Sequence, residues 1–346
     1  MMDNQEMATF IANMPKAELH LHIEGTLSPQ TLLKLSARNN HSFPYPSVEA
    51  IEHALANRPA GLNGFLDHHY IAVATMQTEL DFYDATADFL KTCRGNHIVY
   101  VEMFFDPQFH TSRGISFEAQ FNGIQRACSE GKQMFGVESN LIMCINRERS
   151  VESAFEMLEQ ARPYRDKIIG LGMDSYEELN FPHKFKDVFK QAKKDGYRLT
   201  SHCDVDVPNS INHIWDCLNL LEVERIDHGL MAVDDPKLIE MLIARNITLT
   251  TCPVRRPTDS APQDIERIKF LFEQGVKVTI NTDDPAEFET GYLTNMLQEV
   301  QAASQYDKKD IVQLMLNAFE GSWLPSQVKK QYIEQLYDYS ASSGVL

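Results

Sequence analysis

Two histidines two residues apart, His20 and His22, stand in the alternating run Ala17-Glu18-Leu19-His20-Leu21-His22-Ile23-Glu24-Gly25. Residues i and i+2 of a strand point to the same face. The two imidazoles can therefore share one ion, and imidazole is the commonest protein ligand for zinc-like metals. Such a pair alone is more often two ordinary surface or core histidines. Here it has company: Asp174, His202, His228 and the doublet Asp283-Asp284 also fall at or just past the ends of strand-like runs. His20, His22 and His202 with Asp283 supply three nitrogens and one oxygen, leaving room for water. An ion so held lowers the pKa of its water toward neutrality. His228, in Arg225-Ile226-Asp227-His228-Gly229, is placed to take the water's proton or orient it. In Asn281-Thr282-Asp283-Asp284-Pro285 one carboxylate can serve metal and the other substrate, although Asp-Asp-Pro alone reads equally well as a helix cap.

The elements that must position these residues alternate in type. Strand-like runs cover Ala17–Leu21, Ile98–Phe105, Val137–Cys144, Ile168–Asp174, Tyr197–His202, Val223–His228, Ile247–Cys252 and Val276–Asn281. Helical patterns such as Pro182–Asp195 and Ser210–Leu221 lie between them, and this alternation implies a parallel sheet with crossover helices. Eight strands predict an α/β fold, a (β/α)8 TIM barrel, whose C-terminal rim is where sites are built. Residues from about 30 to 96 read as a helical insertion after strand 1 that could cap the barrel mouth, with Ser28-Pro29 opening its first helix. The segment from about 290 to 346 reads as C-terminal helices packed outside.

A chain of 346 residues suits one barrel domain spanning 1–346, because barrels run to about 250 residues plus insertions. No apolar run approaches the ~20 residues of a membrane helix, and the polar start Met1-Met2-Asp3-Asn4-Gln5-Glu6 is unlike a signal peptide. Six cysteines without paired spacing read as reduced thiols of a cytoplasmic protein. The net charge of −17 argues against nucleic acid or an acidic membrane as partner. Oligomeric state stays open, a homo-oligomer included.

The residues His20-x-His22, His202, Arg-Ile-Asp-His228-Gly and Asn-Thr-Asp283-Asp284-Pro, in this order, resemble the adenosine and adenine deaminase family of amidohydrolase barrels. The resemblance covers about residues 14 to 325, and finer segments look like its adenine-specific branch: His22-Ile23-Glu24-Gly25-Thr26-Leu27, Phe104-Phe105-Asp106-Pro107-Gln108, and Gly172-Met173-Asp174-Ser175 with Glu177. The resemblance implies one Zn2+ or similar divalent transition ion on His20, His22, His202 and Asp283, with His228 handling the water's proton. It implies a purine base as partner, bound through Glu24, Gly25, Asp174, Glu177 and Asp284, the last near N7. The implied reaction is hydrolytic deamination at C6, adenine and water giving hypoxanthine and ammonia, as in purine salvage.

Two segments depart from the family pattern. Where relatives read His-Ala-Gly-Glu, with the glutamate protonating N1, this chain reads His202-Cys203-Asp204-Val205-Asp206. Asp204 or Asp206 is the expected substitute acid, with capping of the next helix as the bland alternative. Where relatives read Cys-Pro-x-Ser-Asn, it reads Cys252-Pro253-Val254-Arg255-Arg256, so that Arg255 either meets substrate or an acidic neighbour, or faces solvent. These departures keep two rivals open: a deaminase of N6-substituted adenine or another amino-heterocycle, and a metal-holding binding protein without catalysis.

Overall fold

The computed structural model describes residues 4–204, 207–254 and 261–345. Among them eight parallel strands follow one another in chain order around a single sheet. They are β1 (Lys16–Glu18), β2 (Ile98–Phe105), β3 (Glu138–Asn146), β4 (Ile168–Asp174), β5 (Arg198–Cys203), β6 (Arg225–His228), β7 (Thr248–Thr251) and β8 (Lys277–Ile280). The expected TIM barrel is what forms. Its strands are buried on both faces, one by the barrel interior and one by helices, which is why Ile98-Val99-Tyr100-Val101 reads as an unbroken apolar run.

The seam between β8 and β1 closes just above the strands proper. Leu19 N donates to Asn281 Oδ1 (2.9 Å), Asp283 N to His20 O (3.2 Å) and His22 N to Asp283 O (2.9 Å). A parallel bridge joins Leu21 to Asp283, and another joins His22 to Phe104. Barrel closure itself thus sets the His-x-His pair beside the Asp-Asp doublet, more than 260 residues later in the chain. Among the directly paired strands the narrowest seam is β4 to β5, with two paired residues on each side.

The insertion after β1 is helical as expected. It comprises α2 (Pro29–Arg38), α3 (Val48–Ala56), α4 (Gly61–Val73) and α5 (Glu79–Gly95). An N-terminal α1 (Asn4–Asn13), which the sequence pattern does not announce, precedes them. Ser28 Oγ caps α2 by accepting from Thr31 N at 3.2 Å. Thr78 and Asp81 form a capping box on α5. Helices Leu293–Ser304, Lys308–Gly321 and Ser326–Ser342 complete the outside of the barrel. The expected helix over 210–221 is instead α-helical over Ser210–Asp216 and continues as a π-turn over Cys217–Leu221. No helix among the described residues is long and apolar enough to cross a membrane.

Charge is also buried in the lower part of the barrel, and there it is paired. Lys16 Nζ donates to the carbonyls of Ala12 (3.0 Å), Met14 (3.0 Å) and Asn96 (2.8 Å). Arg225 Nη1 donates to Glu102 Oε2 at 2.6 Å, Tyr100 Oη donates to Glu102 Oε1 at 2.7 Å, and the guanidinium lies over the Trp323 ring at 4.1 Å.

Candidate active site

His20 and His22 leave the end of β1, His202 stands in β5, His228 ends β6, and Asp283 and Asp284 follow β8. His228 and Asp283 both sit in the left-handed region, at φ 63° and 62°. A non-glycine residue there costs on the order of 1–3 kcal/mol, and such residues cluster at functional sites. The turn breaks each strand so that its last side chain faces the barrel mouth. All of these residues are buried.

Their ring nitrogens converge. His20 Nε2 lies 3.3 Å and His22 Nε2 3.6 Å from Asp283 Oδ1, and His22 Nε2 lies 3.2 Å from His202 Nε2. One ligand atom from each of His20, His22, His202 and Asp283 fits within 4.8 Å of every other. The backs of the rings are held. His20 Nδ1 faces the Thr250 carbonyl at 3.0 Å and His202 Nδ1 the Met173 carbonyl at 3.1 Å. A carbonyl only accepts, so each Nδ1 carries the proton and each Nε2 turns a lone pair into the cluster. His20 Nε2 is buried with no hydrogen-bond partner. Burial, then the charges of His20, His22 and His228, push the His202 pKa well down, so that ring is neutral. Three imidazoles aimed at one carboxylate, one of them with a nitrogen that has no hydrogen-bond partner, suit a divalent transition ion.

Around this cluster runs a ring of carboxylates. His22 Nδ1 is 3.5 Å from Asp106 Oδ2 and 3.6 Å from Asp174 Oδ2. Asn146 Nδ2 donates to both acids, at 3.4 Å to Asp106 and 3.2 Å to Asp174. Burial, then the neighbouring Asp106, raises the Asp174 pKa well above the usual range. His228 Nε2 stands 3.6 Å from Asp204 Oδ1 and 3.9 Å from Asp283 Oδ2. Asp284 Oδ1 is buried without a hydrogen-bond partner, and a Cβ on Gly25 would come within 1.9 Å of it. Only a glycine at position 25 lets Asp284 take this place.

A cavity opens above the cluster, lined by His22, Asp106, Arg147, Asp174, Asp204, His228, Asp283 and Asp284 on the barrel side. From α4 come Leu62, Phe65, Leu66, His69 and Tyr70, with Phe288 beside them. The helical insertion does cover the mouth. His69 Nδ1 is 2.6 Å from Glu287 Oε1 and 3.8 Å from Asp284 Oδ1. Burial works to lower the His69 pKa, but the Glu287 carboxylate outweighs it and raises it to about 9.

Several expected substrate contacts are placed otherwise. Glu24 accepts from Asp106 N at 3.0 Å and lies 3.3 Å from His110 Nε2; it does not line the cavity and instead holds the end of β2. Glu177 accepts from Arg147 Nη1 and Asp204 N, both at 2.8 Å, and meets His213 Nδ1 at 2.5 Å, so it also stands behind the cavity wall. Gly25 is the backing for Asp284 and not a lining residue. Asp174 and Asp284 do line it. Asp206, Val205 and Arg255 lie outside the described residues.

Asp204 lines the cavity, as a substitute acid would, but it has a strong partner. Arg147 Nη2 donates to its Oδ2 at 2.6 Å. Burial works to raise the Asp204 carboxyl, but Arg147 and then His228 outweigh it and hold it at about 2. A carboxylate held ionised accepts protons, so a donor's role requires that it first receive one. It does not cap the next helix by its side chain either, since Ser210 Oγ donates to its backbone carbonyl (2.7 Å), and Asn209 makes no capping bond.

Five residues of the site escape the sequence reading: Asp106, Asn146, Arg147, His69 and Glu287. The first three follow the rule that finds the others, since each ends or follows a strand: Asp106 follows β2, Asn146 ends β3 and Arg147 follows it. No strand signal marks His69 or Glu287, whose place depends on how α4 packs.

Comparison with known proteins agrees with this geometry. The sequence model of the adenosine deaminase family matches residues 15–339. An adenine deaminase of Acinetobacter baylyi is 40% identical over 94% of this chain and 97% of its own length. An uncharacterised deaminase of Schizosaccharomyces pombe is 41% identical over 97% of this chain and 99% of its own. The crystal structure of an adenine deaminase from Arthrobacter aurescens superimposes with a TM-score of 0.88 at 31% identity, covering 95% of this chain and 99% of that one. The chain belongs to the adenosine deaminase family.

Proposed function

We propose that this chain is a metal-dependent adenine deaminase, converting adenine and water to hypoxanthine and ammonia, with zinc, one ion per chain, held by His20, His22, His202 and Asp283. The observation that carries the reading is the convergence of three buried imidazoles on Asp283 with the His20 Nε2 lone pair left without a partner. Similarity at about 40% identity to proteins named adenine deaminase supports the base as substrate. When bound, the ion supplies Lewis acidity that brings a water's pKa toward neutrality.

The remaining steps fall to this chain's own side chains. His228, 3.9 Å from Asp283, takes the proton from the attacking water as general base. Asp284, pinned against Gly25, hydrogen-bonds the substrate near N7 and fixes C6 over the cluster. Asp204 faces the ring's N1 edge. Since Arg147 keeps it ionised, it can give N1 only a proton it has first received, which makes it a relay. Asp206 stays the alternative acid. Attack at C6 places a tetrahedral carbon there; protonation of the amino group and collapse then expel ammonia. Arg147 spends its donors on Asp174 O, Ser175 O, His202 O, Glu177 and Asp204, so it positions this wall. Glu24 and Glu177 act in the same way, from behind. A single catalytic domain working in the cytoplasm accords with six free, buried cysteines.

The test is incubation of zinc-loaded protein with adenine, adenosine and N6-methyladenine, following ultraviolet change and amine release. Turnover of adenine above the others is expected. Preference for N6-methyladenine selects the substituted-base deaminase, and metal bound at one per chain without turnover of any of the three overturns the adenine reading.

A further inference from the structure

Among the groups lining the cavity, His69 lies away from the metal-type cluster and has no role in the chemistry just described. His69 comes from α4, the covering helix, and reaches down to Asp284. Its Nδ1 is occupied by Glu287 Oε1 at 2.6 Å, so the ring atom left to meet a ligand is Nε2. The ring is fixed from several sides. Phe65 packs against it at 5.5 Å between centroids and stacks on Phe288 at 5.2 Å. The Arg58 guanidinium lies over both phenylalanines, at 4.9 and 4.8 Å, and Arg58 Nη1 donates to the Glu287 carbonyl at 3.1 Å. His69 is buried, as is Asp284, whose Oδ1 has no hydrogen-bond partner. Asp284 Oδ1 lies 3.8 Å from His69 Nδ1, and both residues line the cavity.

We propose that His69 and Asp284 together clamp the five-membered ring of the substrate, one nitrogen to each, and that His69 thereby selects a free purine base over any N9-substituted purine. This rests on the deaminase reading above, which sets Asp284 near N7. A free purine carries one N–H and one lone pair on the N7/N9 pair, whichever tautomer it adopts. An imidazole held by Glu287 and a carboxylate offer the matching donor and acceptor. An N9 substituent removes the second partner and places carbon against His69, leaving a buried polar group unpaired. Sites built around such a bond reject the analogue lacking it far more strongly than an apolar wall does.

The experiment compares N9–H with N9–methyl in two readouts. Binding of purine and 9-methylpurine to the zinc-loaded protein is measured by calorimetry, since neither carries a C6 amine to be removed. Turnover of adenine and 9-methyladenine is measured in parallel. The wild type should prefer the unsubstituted member of each pair by at least about tenfold, and His69→Phe should erase most of that ratio. His69→Gln, which keeps a polar group of similar reach, should retain part of the preference. A ratio unchanged in His69→Phe assigns the residue to packing alone and overturns the proposal. Equal wild-type binding of both purines overturns it without recourse to any variant. Failure to bind either purine or to turn over adenine overturns the deaminase reading itself, and this inference with it.

Discussion

The two ends of the barrel bury charge to the same depth and use it in opposite ways. At the lower end charge finds a partner within the fold: Arg225 is bonded to the opposite charge of Glu102, and Lys16 gives its three donors to three carbonyls. At the upper rim like gathers with like. Four imidazoles surround Asp283, Asp106 lies beside Asp174, and Asp284 adjoins Asp283 with an oxygen unpaired. Such crowding is costly by itself, because a buried carboxylate such as Asp174 has lost water and faces the like charge of Asp106. In the lower pair Arg225 meets an opposite charge within the fold, although its Nε and Nη2 have no hydrogen-bond partner, whereas the proposed function completes the upper cluster with a cation and a polar ligand. Burial therefore does not distinguish structural from functional charge in this protein; the state of pairing does.

The largest separation between the two ends should come from metal removal. Stripping the protein with a chelator should abolish turnover, and zinc at 100 times its dissociation constant should restore about 2.7 kcal/mol of stability, read as a rise in Tm. His202→Ala should remove both the activity and this zinc-dependent rise. An unaltered response to zinc in that variant would break the assignment of the upper cluster. Next in size, His228→Gln should lower kcat by roughly 10²–10⁴-fold while metal content stays at one per chain, because it acts on the proton and not on the ion. Loss of metal along with activity would move His228 among the ligands.

At the lower end the expectation reverses. Arg225→Ala leaves Glu102 as an uncompensated buried charge and should cost about 3–5 kcal/mol in denaturant unfolding. The protein that remains folded should keep its kcat, since Arg225 is not among the residues lining the cavity. The smallest effect belongs to Gly25→Ala, whose added methyl would press on Asp284 Oδ1. A fall of at least about tenfold in kcat/KM, or ~1.4 kcal/mol of transition-state stabilisation, is expected with zinc content unchanged. Full activity in the Gly25→Ala variant would show that Asp284 does not need its observed position.

The fold and most of the metal-type cluster are legible in the residues themselves. Parallel strands buried on both faces betray their bounds through continuous apolar runs, and the polar residues that end them stand out against that background. His20, His22, His202, His228 and Asp283 are found this way. Asn146 and Arg147 escape because the apolar run Val137–Cys144 stops short of them, while the strand reaches Asn146, and Asp106 stands in the sequence only as part of a segment that carries the family resemblance. The roles of Glu24 and Glu177 cannot be read from sequence at all. A carboxylate one residue from a rim position can point into the cavity or behind it, and that choice depends on partners from other strands, Asp106 N and His110 for the one, Arg147 and His213 for the other.

What the sequence determined by itself is the set of elements and the ligand types at their ends, because strand periodicity and residue chemistry are local. Charge state and company depend instead on how the elements pack. Asp204 looks like a spare acid until Arg147, 57 residues away in the chain, is seen to hold it ionised. His69 looks like any helix histidine until α4 folds over the barrel and sets it beside Glu287 and Asp284. Electrostatic environment is a sum over neighbours in space, and closing the barrel under its covering helix is what chooses those neighbours.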